Sequence, residues 1–113
     1  MRNSDVAARI GAAVEVIAIL FNLLAAFLWF ISFIWVLIGL LWGLVALVAL
    51  VQGAIALFVM VKGYSPVGIA GPLLGIGVSL CNFNFFAGSI EVLVLLLMIG
   101  ALVLRGQEDA AGA

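Results

Sequence analysis

The sequence predicts an all-α integral membrane protein, a four-helix bundle that forms a single four-span domain over residues 1–113. Of these residues 69% are hydrophobic and only 8% are charged, whereas an ordinary soluble domain has roughly 25% charged residues. The mean hydropathy is +1.53. Because a domain this small buries only about 60–70% of the surface of its unfolded chain, so much apolar surface requires the lipid bilayer as its solvent.

The first two predicted helices share one long apolar run. Residues 6–61 would be about 84 Å long as a single helix, far more than the roughly 30 Å hydrocarbon core of a bilayer. The chain must therefore turn back inside this run. The aromatic stretch at 27–35 is the expected turn, because Trp favours the membrane interface. Helix one is predicted at about 5–29 and helix two at about 33–61.

The last two predicted helices are separated by clearer breaks. The segment VKGYSP at 61–66 contains Lys, Gly and Pro, which mark a polar turn followed by a helix start. The segment CNFNFF at 81–86 contains two Asn and three Phe and is expected to be an interfacial turn. Helix three is predicted at about 66–80 and helix four at about 85–104, with a polar tail at 105–113.

All four basic residues fall on one side of this predicted bundle. Arg2 and Arg9 lie at the start of helix one, Lys62 follows helix two and Arg105 follows helix four, whereas the turns on the other side carry no charge. Basic residues favour the cytoplasmic side of a membrane. We therefore expect both termini in the cytoplasm, in a multi-pass protein of a prokaryotic cytoplasmic membrane.

The composition excludes several kinds of function. The formal net charge is −1 and there is no long basic run, so no nucleic-acid partner is expected. The chain has no His, and Cys81 is its single cysteine, which argues against an intrachain disulfide and a His/Cys zinc site. No catalytic constellation is visible. The sequence thus predicts no cofactor and no metal, in a protein that is not an enzyme.

Small residues form two stripes on the predicted helices two and three. They are Gly39, Gly43 and Gly53 on helix two, and Gly71, Gly75 and Ser79 on helix three. Small side chains allow helices in lipid to approach closely. We expect these stripes to bring helices two and three together, or to form an interface between subunits.

Four polar side chains interrupt the apolar helices: Glu15 and Asn22 on helix one, Gln52 on helix two and Glu91 on helix four. Their expected depths pair Glu15 with Gln52 and Asn22 with Glu91, which would give the bundle two polar layers. A buried, unpaired carboxylate costs several kcal/mol, so neutral carboxyl groups are expected.

Two interpretations of these side chains differ in function. In the first, their hydrogen bonds fix the helix register and contribute about 0.6–2 kcal/mol each. The protein would then be a structural or accessory subunit of a homo-oligomer or a larger membrane complex. In the second, Glu15 carries protons, because ionisable residues inside a membrane mark ion or proton pathways. The protein would then be a proton-coupled transporter of small molecules.

Three segments resemble the small multidrug resistance transporters: GAAVEV around Glu15, YSPVGIAGPLLGIG at 64–77 and LLLMIGALVL at 95–104. The resemblance implies an antiparallel dimer that exchanges protons for lipophilic cations at paired Glu15 residues. The stretch 70–75 lacks the Trp on which that family stacks its substrates. The chain equally resembles other Gly- and Leu-rich four-span proteins of prokaryotes, and the structural interpretation is the one we favour.

Overall fold

A computed structural model describes residues 2–33 and 39–112, which form four α-helices and contain no strand. The helices are α1 (Asn3–Ser32), α2 (Gly39–Lys62), α3 (Ala70–Cys81) and α4 (Phe85–Gly112). A 3₁₀ turn at Pro66–Ile69 leads directly into α3. The predicted all-α class and the number of helices are confirmed for the described part of the chain.

The helices form an elongated antiparallel bundle with Cα extents of 59 × 21 × 16 Å. Arg9 near the start of α1 donates a hydrogen bond to the carbonyl group of Val61 near the end of α2. Trp29 near the end of α1 donates to the carbonyl group of Asn82, directly after α3. α1 therefore runs opposite to α2 and parallel to α3. It packs beside α2 and α4 and lies diagonally opposite α3.

Each long helix buries one narrow stripe of residues, which are mostly three or four positions apart. On α2 the stripe comprises Trp42, Val45, Ala49, Gln52, Ala56 and Val59. On α4 it comprises Ala87, Glu91, Val94, Met98 and Ala101. An alternation of three and four keeps one seam of a helix against its partners, as in coiled coils. Many of the buried residues are Ala or Gly, so the helices pack closely.

The outer surface of the bundle is apolar. Leu20, Leu57 and Leu96, on three different helices, are each 61% exposed. Helices α1, α2 and α4 are long and apolar enough to cross a membrane, and residues 66–81 form a shorter apolar helical segment. At 1.5 Å per residue α1 is about 45 Å long, which exceeds the roughly 30 Å hydrocarbon core of a bilayer.

Helices α1 and α4 both extend further than the sequence predicts. α1 continues to Ser32, where the sequence predicts a turn, and residues 34–38, which include the predicted first turn of helix two, lie outside the described residues. α4 continues to Gly112, where the sequence predicts a polar tail. Ion pairs hold these last turns against α1, one between Asp109 and Arg2 at 2.6 Å and one between Arg105 and Asp5 at 2.7 Å.

Candidate functional site: a buried carboxyl–amide layer

Three polar side chains from three helices meet in the bundle interior. The Nε2 atom of Gln52 on α2 lies 2.5 Å from Oε1 of Glu15 on α1 and 3.1 Å from Oε1 of Glu91 on α4. The same nitrogen lies 3.0 Å from the carbonyl oxygen of Gly71 on α3. All four helices thus contribute to one set of groups. We call it the carboxyl layer: the side chains of Glu15, Gln52 and Glu91 and the carbonyl group of Gly71.

The carboxyl layer is closed off from the surface. Glu15 is 2% exposed, and Gln52 and Glu91 are fully buried. Grooves of about 250–400 Å³ on the surface of the described residues are lined by other side chains. Glu91 lies about 9 Å inside α4 and faces the bundle interior.

The carboxyl layer contains more acceptor oxygens than donor hydrogens. The Gln52 amide has two N–H groups for the three oxygens near its Nε2 atom. Three further oxygens have no hydrogen-bond partner among the described residues: Oε2 of Glu15, Oε1 of Gln52 and Oε2 of Glu91. Both carboxyl groups contact one nitrogen atom, so they lie close together. Because two buried negative charges this close are strongly disfavoured, the layer must hold at least one proton or other cation.

Two glycines of α3 make room for these side chains. A Cβ atom at position 75 would overlap the carboxyl group of Glu91. A Cβ atom at position 71 would lie 3.8 Å from Oε1 of Glu15 and 3.7 Å from Cγ2 of Ile55 on α2. The predicted stripe of Gly71, Gly75 and Ser79 therefore faces the interior, where it admits side chains from the other helices.

A second set of polar groups, which we call the asparagine layer, comprises Asn22, Ser79 and Asn82. Nδ2 of Asn22 donates to Oγ of Ser79 at 2.9 Å. Nδ2 of Asn82 donates to the backbone oxygen of Asn22 at 3.0 Å and lies 3.2 Å from its Oδ1. All three residues are buried. The layer joins α1 to the diagonally opposite α3, and the sequence pattern does not predict that Asn82 belongs to it.

One of the two predicted polar pairs is present and the other is wrong. Glu15 contacts Gln52 as expected, but Asn22 contacts Ser79 and Asn82 instead of Glu91. Asn22 lies level with the turn that precedes α4, whereas Glu91 lies six residues inside that helix. Glu91 is therefore at the depth of Glu15, and it joins the same layer.

The predicted glycine contact between α2 and α3 is also wrong in part. A Cβ atom at Gly43 would have Phe30 of α1 as its nearest neighbour, at 4.0 Å, and one at Gly53 would meet no atom within 4 Å. Gly39 is buried. The reason lies in helix geometry: Gln52 points to the bundle centre, and successive residues are rotated by about 100°, so Gly53 points away from it.

Aromatic side chains close one end of the bundle. The rings of Trp29, Phe33 and Trp42 stack on one another with centroids 5.4–5.8 Å apart. The indole N–H of Trp29 donates to the carbonyl oxygen of Asn82 at 2.8 Å, and that of Trp42 donates to the carbonyl oxygen of Cys81 at 3.2 Å. We call this the aromatic end. Its two indole hydrogen bonds fasten the turn after α3 to α1 and α2.

Charged side chains occupy the opposite end. Oδ1 of Asp5 accepts hydrogen bonds from the backbone N–H of Tyr64 at 2.8 Å and from Nη2 of Arg105 at 2.7 Å. The Arg105 guanidinium group also lies over the Tyr64 ring, 4.9 Å from its centroid. Gly63 has a φ of +88°, and a Cβ atom there would press on Asp5. Asp5 thus ties the turn after α2 to α1 and α4 at what we call the charged end.

The fold and the site define an all-α four-helix bundle with an apolar outer surface and a buried carboxyl–amide centre. Among the described residues no group of three or more His, Cys, Asp or Glu side chains is placed to hold a metal ion. Comparisons with protein-family models, with curated proteins and with solved structures find no match to this chain.

Proposed function

We propose that the chain is a four-span integral membrane protein that acts as a structural or accessory subunit, through helix packing with copies of itself or within a larger membrane complex. The carboxyl layer carries this proposal. Its groups come from all four helices, and they bind one another instead of lining a cavity. A polar layer of this kind fixes the depth and rotation of each helix relative to the others.

The distribution of charge supports an orientation with both termini in the cytoplasm. Apart from Glu15 and Glu91, every charged residue of the chain lies in the first nine residues, at Lys62 or in the last nine residues. These segments meet at the charged end, where Arg2, Arg9 and Arg105 form hydrogen bonds and Lys62 ends α2. Basic residues favour the cytoplasmic side, and the Trp residues of the aromatic end suit the opposite interface of a prokaryotic cytoplasmic membrane.

Proton-coupled transport of lipophilic cations is the second candidate function. The observation that favours it is the contact of Glu15 and Glu91 with one amide nitrogen, because two buried carboxyl groups so close together must retain a proton between them. The closed packing of the carboxyl layer favours the structural role instead. A lipophilic cation would have to separate the helices to reach Glu15.

Reconstitution into liposomes distinguishes the two functions. The wild type and Glu15→Gln are compared under an imposed pH gradient with a panel of lipophilic cations, and Glu108→Gln at the charged end serves as the control for the same substitution. The structural role predicts no cation-dependent proton flux in any of the three. Flux in the wild type and in Glu108→Gln that is lost in Glu15→Gln would establish transport and overturn the structural role.

The accessory role has a separate test. The protein is solubilised from its native membrane in a mild detergent, and the mass of the particle and its component chains are determined. We expect a particle larger than one chain plus its detergent, made of several copies or of this chain with other membrane proteins. A monomer without any co-purifying chain would contradict the proposal.

A further inference from the structure

We propose that the lipid surface at the aromatic end steps inward beside α3 and α4, so that phospholipid headgroups and water reach the turn between these two helices. The bundle would thus thin one leaflet of the bilayer on one of its sides. This activity would add to the structural role, and it rests on the membrane location proposed above. Two features of the aromatic end support it: the unequal reach of the two helix pairs and the polar groups at the start of α4.

The two helix pairs end at different heights. Nδ2 of Asn82, in the turn between α3 and α4, donates to the backbone oxygen of Asn22 at 3.0 Å, so this turn lies level with Asn22. From that level α1 continues for ten residues to Ser32, which adds about 15 Å. On α2, Gly39 lies about 20 Å along the helix from Gln52 in the carboxyl layer. The turn between α3 and α4 lies only about 10 Å from that layer.

A flat lipid surface level with this turn would leave the longer ends of α1 and α2 in water. The side chains there are apolar and 47–60% exposed: Phe27, Leu28 and Ile31 on α1, and Leu40 and Leu41 on α2. Apolar surface is strongly disfavoured in water but not in lipid. The ends of α1 and α2 therefore require hydrocarbon around them.

A flat lipid surface level with the end of α1 would instead place the start of α4 inside the hydrocarbon core. Asn84 caps this helix: its Oδ1 accepts from the N–H of Ala87, and its backbone oxygen accepts from the N–H of Gly88. The N–H groups of Phe85 and Phe86 have no acceptor among the described residues. The hydrocarbon core supplies none, and unpaired backbone groups are costly there. Water or headgroup oxygens must therefore reach the start of α4.

Tilting of the whole bundle does not meet both requirements. Neighbouring helix axes lie about 8–10 Å apart, so a difference of about 15 Å in height would need a tilt of more than about 50°, beyond the usual range of roughly 0–40°. A bilayer instead thins around a short apolar segment at modest cost. The segment Pro66–Cys81 is apolar and about 26 Å long, shorter than the roughly 30 Å hydrocarbon core. The lipid surface can therefore follow the difference in height.

Spin labels at two matched positions test the step. In a Cys81→Ala background, single thiols are introduced at Phe85 of α4 and at Leu24 of α1, which are both exposed. The purified variants carry a nitroxide label and are reconstituted into vesicles of dioleoyl phosphatidylcholine. Counted from the carboxyl layer, Leu24 lies nine residues along α1 and Phe85 lies six residues along α4, so Leu24 is about 4–5 Å nearer the aromatic end. A flat lipid surface would therefore place the Leu24 label nearer to water.

We expect the reverse order of depth. The label at Phe85 should collide more often with a water-soluble nickel chelate, and less often with oxygen, than the label at Leu24. A Leu24 label as close to water as the Phe85 label, or closer, would overturn the step and leave the membrane location intact. Labels that both collide with the chelate as freely as a nitroxide in water would overturn the membrane location itself. If Phe85→Cys does not fold, the exposed Cys81 of the wild type, at the end of α3, takes the label and has the same expected result.

Discussion

Gly75 of α3 lies against the carboxyl group of Glu91 on α4, so closely that a Cβ atom at position 75 would overlap that group. Gly in the middle of a helix costs about 1 kcal/mol relative to Ala. The contact explains why α3 has Gly at this position. Without a side chain there, Glu91 reaches the amide of Gln52 and completes the carboxyl layer.

Substitution of Gly75 should therefore disrupt the layer. Gly75→Leu would displace the Glu91 carboxyl group and overpack the interior, and we expect it to lower the free energy of unfolding by about 1–3 kcal/mol or more. Gly77→Leu is the matched control, because a Cβ atom at Gly77 meets nothing within 4 Å. It should be neutral or slightly stabilising, since Leu favours helix more than Gly does. The exposed Leu74→Ala should also have little effect.

Thermal unfolding of the three variants in one detergent checks this ranking. Equal midpoints for Gly75→Leu, Gly77→Leu and Leu74→Ala would show that the interior accommodates a Leu side chain beside Glu91. The assignment of Gly75 to the carboxyl layer would then be wrong.

The asparagine layer should depend on the hydroxyl group of Ser79. Ser79→Ala leaves Nδ2 of the buried Asn22 without its acceptor, and an unsatisfied buried donor costs about 1–3 kcal/mol. Ser89→Ala is the same substitution at an exposed site, where the hydroxyl group bonds only to the Phe85 carbonyl one turn earlier. Chemical denaturation should show a loss for Ser79→Ala and almost none for Ser89→Ala. A larger loss of stability for Ser89→Ala than for Ser79→Ala would contradict the assignment of Ser79 to the asparagine layer.

Asp5 should contribute more to stability than Asp109, which also forms an ion pair. Asp5→Ala removes the acceptor of the Tyr64 backbone N–H and of Arg105, and we expect a loss of about 1–3 kcal/mol. Asp109→Ala breaks only an ion pair with Arg2 between exposed side chains, and such pairs contribute about 0–1 kcal/mol. The two variants are compared by their unfolding midpoints at low salt. Equal losses would show that the contacts of Asp5 with Tyr64 and Arg105 contribute no more to stability than an exposed ion pair.

Cysteine labelling tests the proposed orientation. In a Cys81→Ala background, thiols introduced at the exposed positions Asn3, Phe83 and Gln107 are treated with a membrane-impermeant reagent from outside intact cells. With both termini in the cytoplasm, Phe83→Cys is labelled, and Asn3→Cys and Gln107→Cys are protected until the cells are opened. Labelling of Asn3→Cys from outside in about half of the molecules would indicate dual topology and favour the multidrug transporter resemblance.

The sequence predicts the elements of this fold better than the contacts between them. Periodicity places Glu15, Asn22, Gln52 and Glu91 on buried faces, and the structure buries all four. Pairing them requires the relative depth of the helices, which depends on where each turn lies. The prediction placed Asn22 and Glu91 at similar depth, whereas the turn before α4 lies level with Asn22 and Glu91 lies six residues further inside.

The prediction for the glycines of α2 was wrong for a related reason. Gly43 and Gly53 lie on one side of the helix, but the inward face is set by Gln52, whose polar group must meet the carboxyl groups of Glu15 and Glu91. The spacing of glycines alone does not show which face of a helix is turned inward by a polar side chain. On α3 the glycine stripe and the polar contacts coincide at Gly71, so this stripe faces the interior of the bundle.

The most direct test of the structural role is a comparison of Glu15→Gln with Glu15→Ala by thermal unfolding in detergent solution. Gln keeps the shape of the side chain and both hydrogen-bonding capacities, so its midpoint should equal or exceed that of the wild type. Ala removes the contact with Gln52 and leaves a gap, so the free energy of unfolding should fall by about 1–2 kcal/mol. A Glu15→Ala variant as stable as the wild type would show that the carboxyl layer does not hold the bundle together.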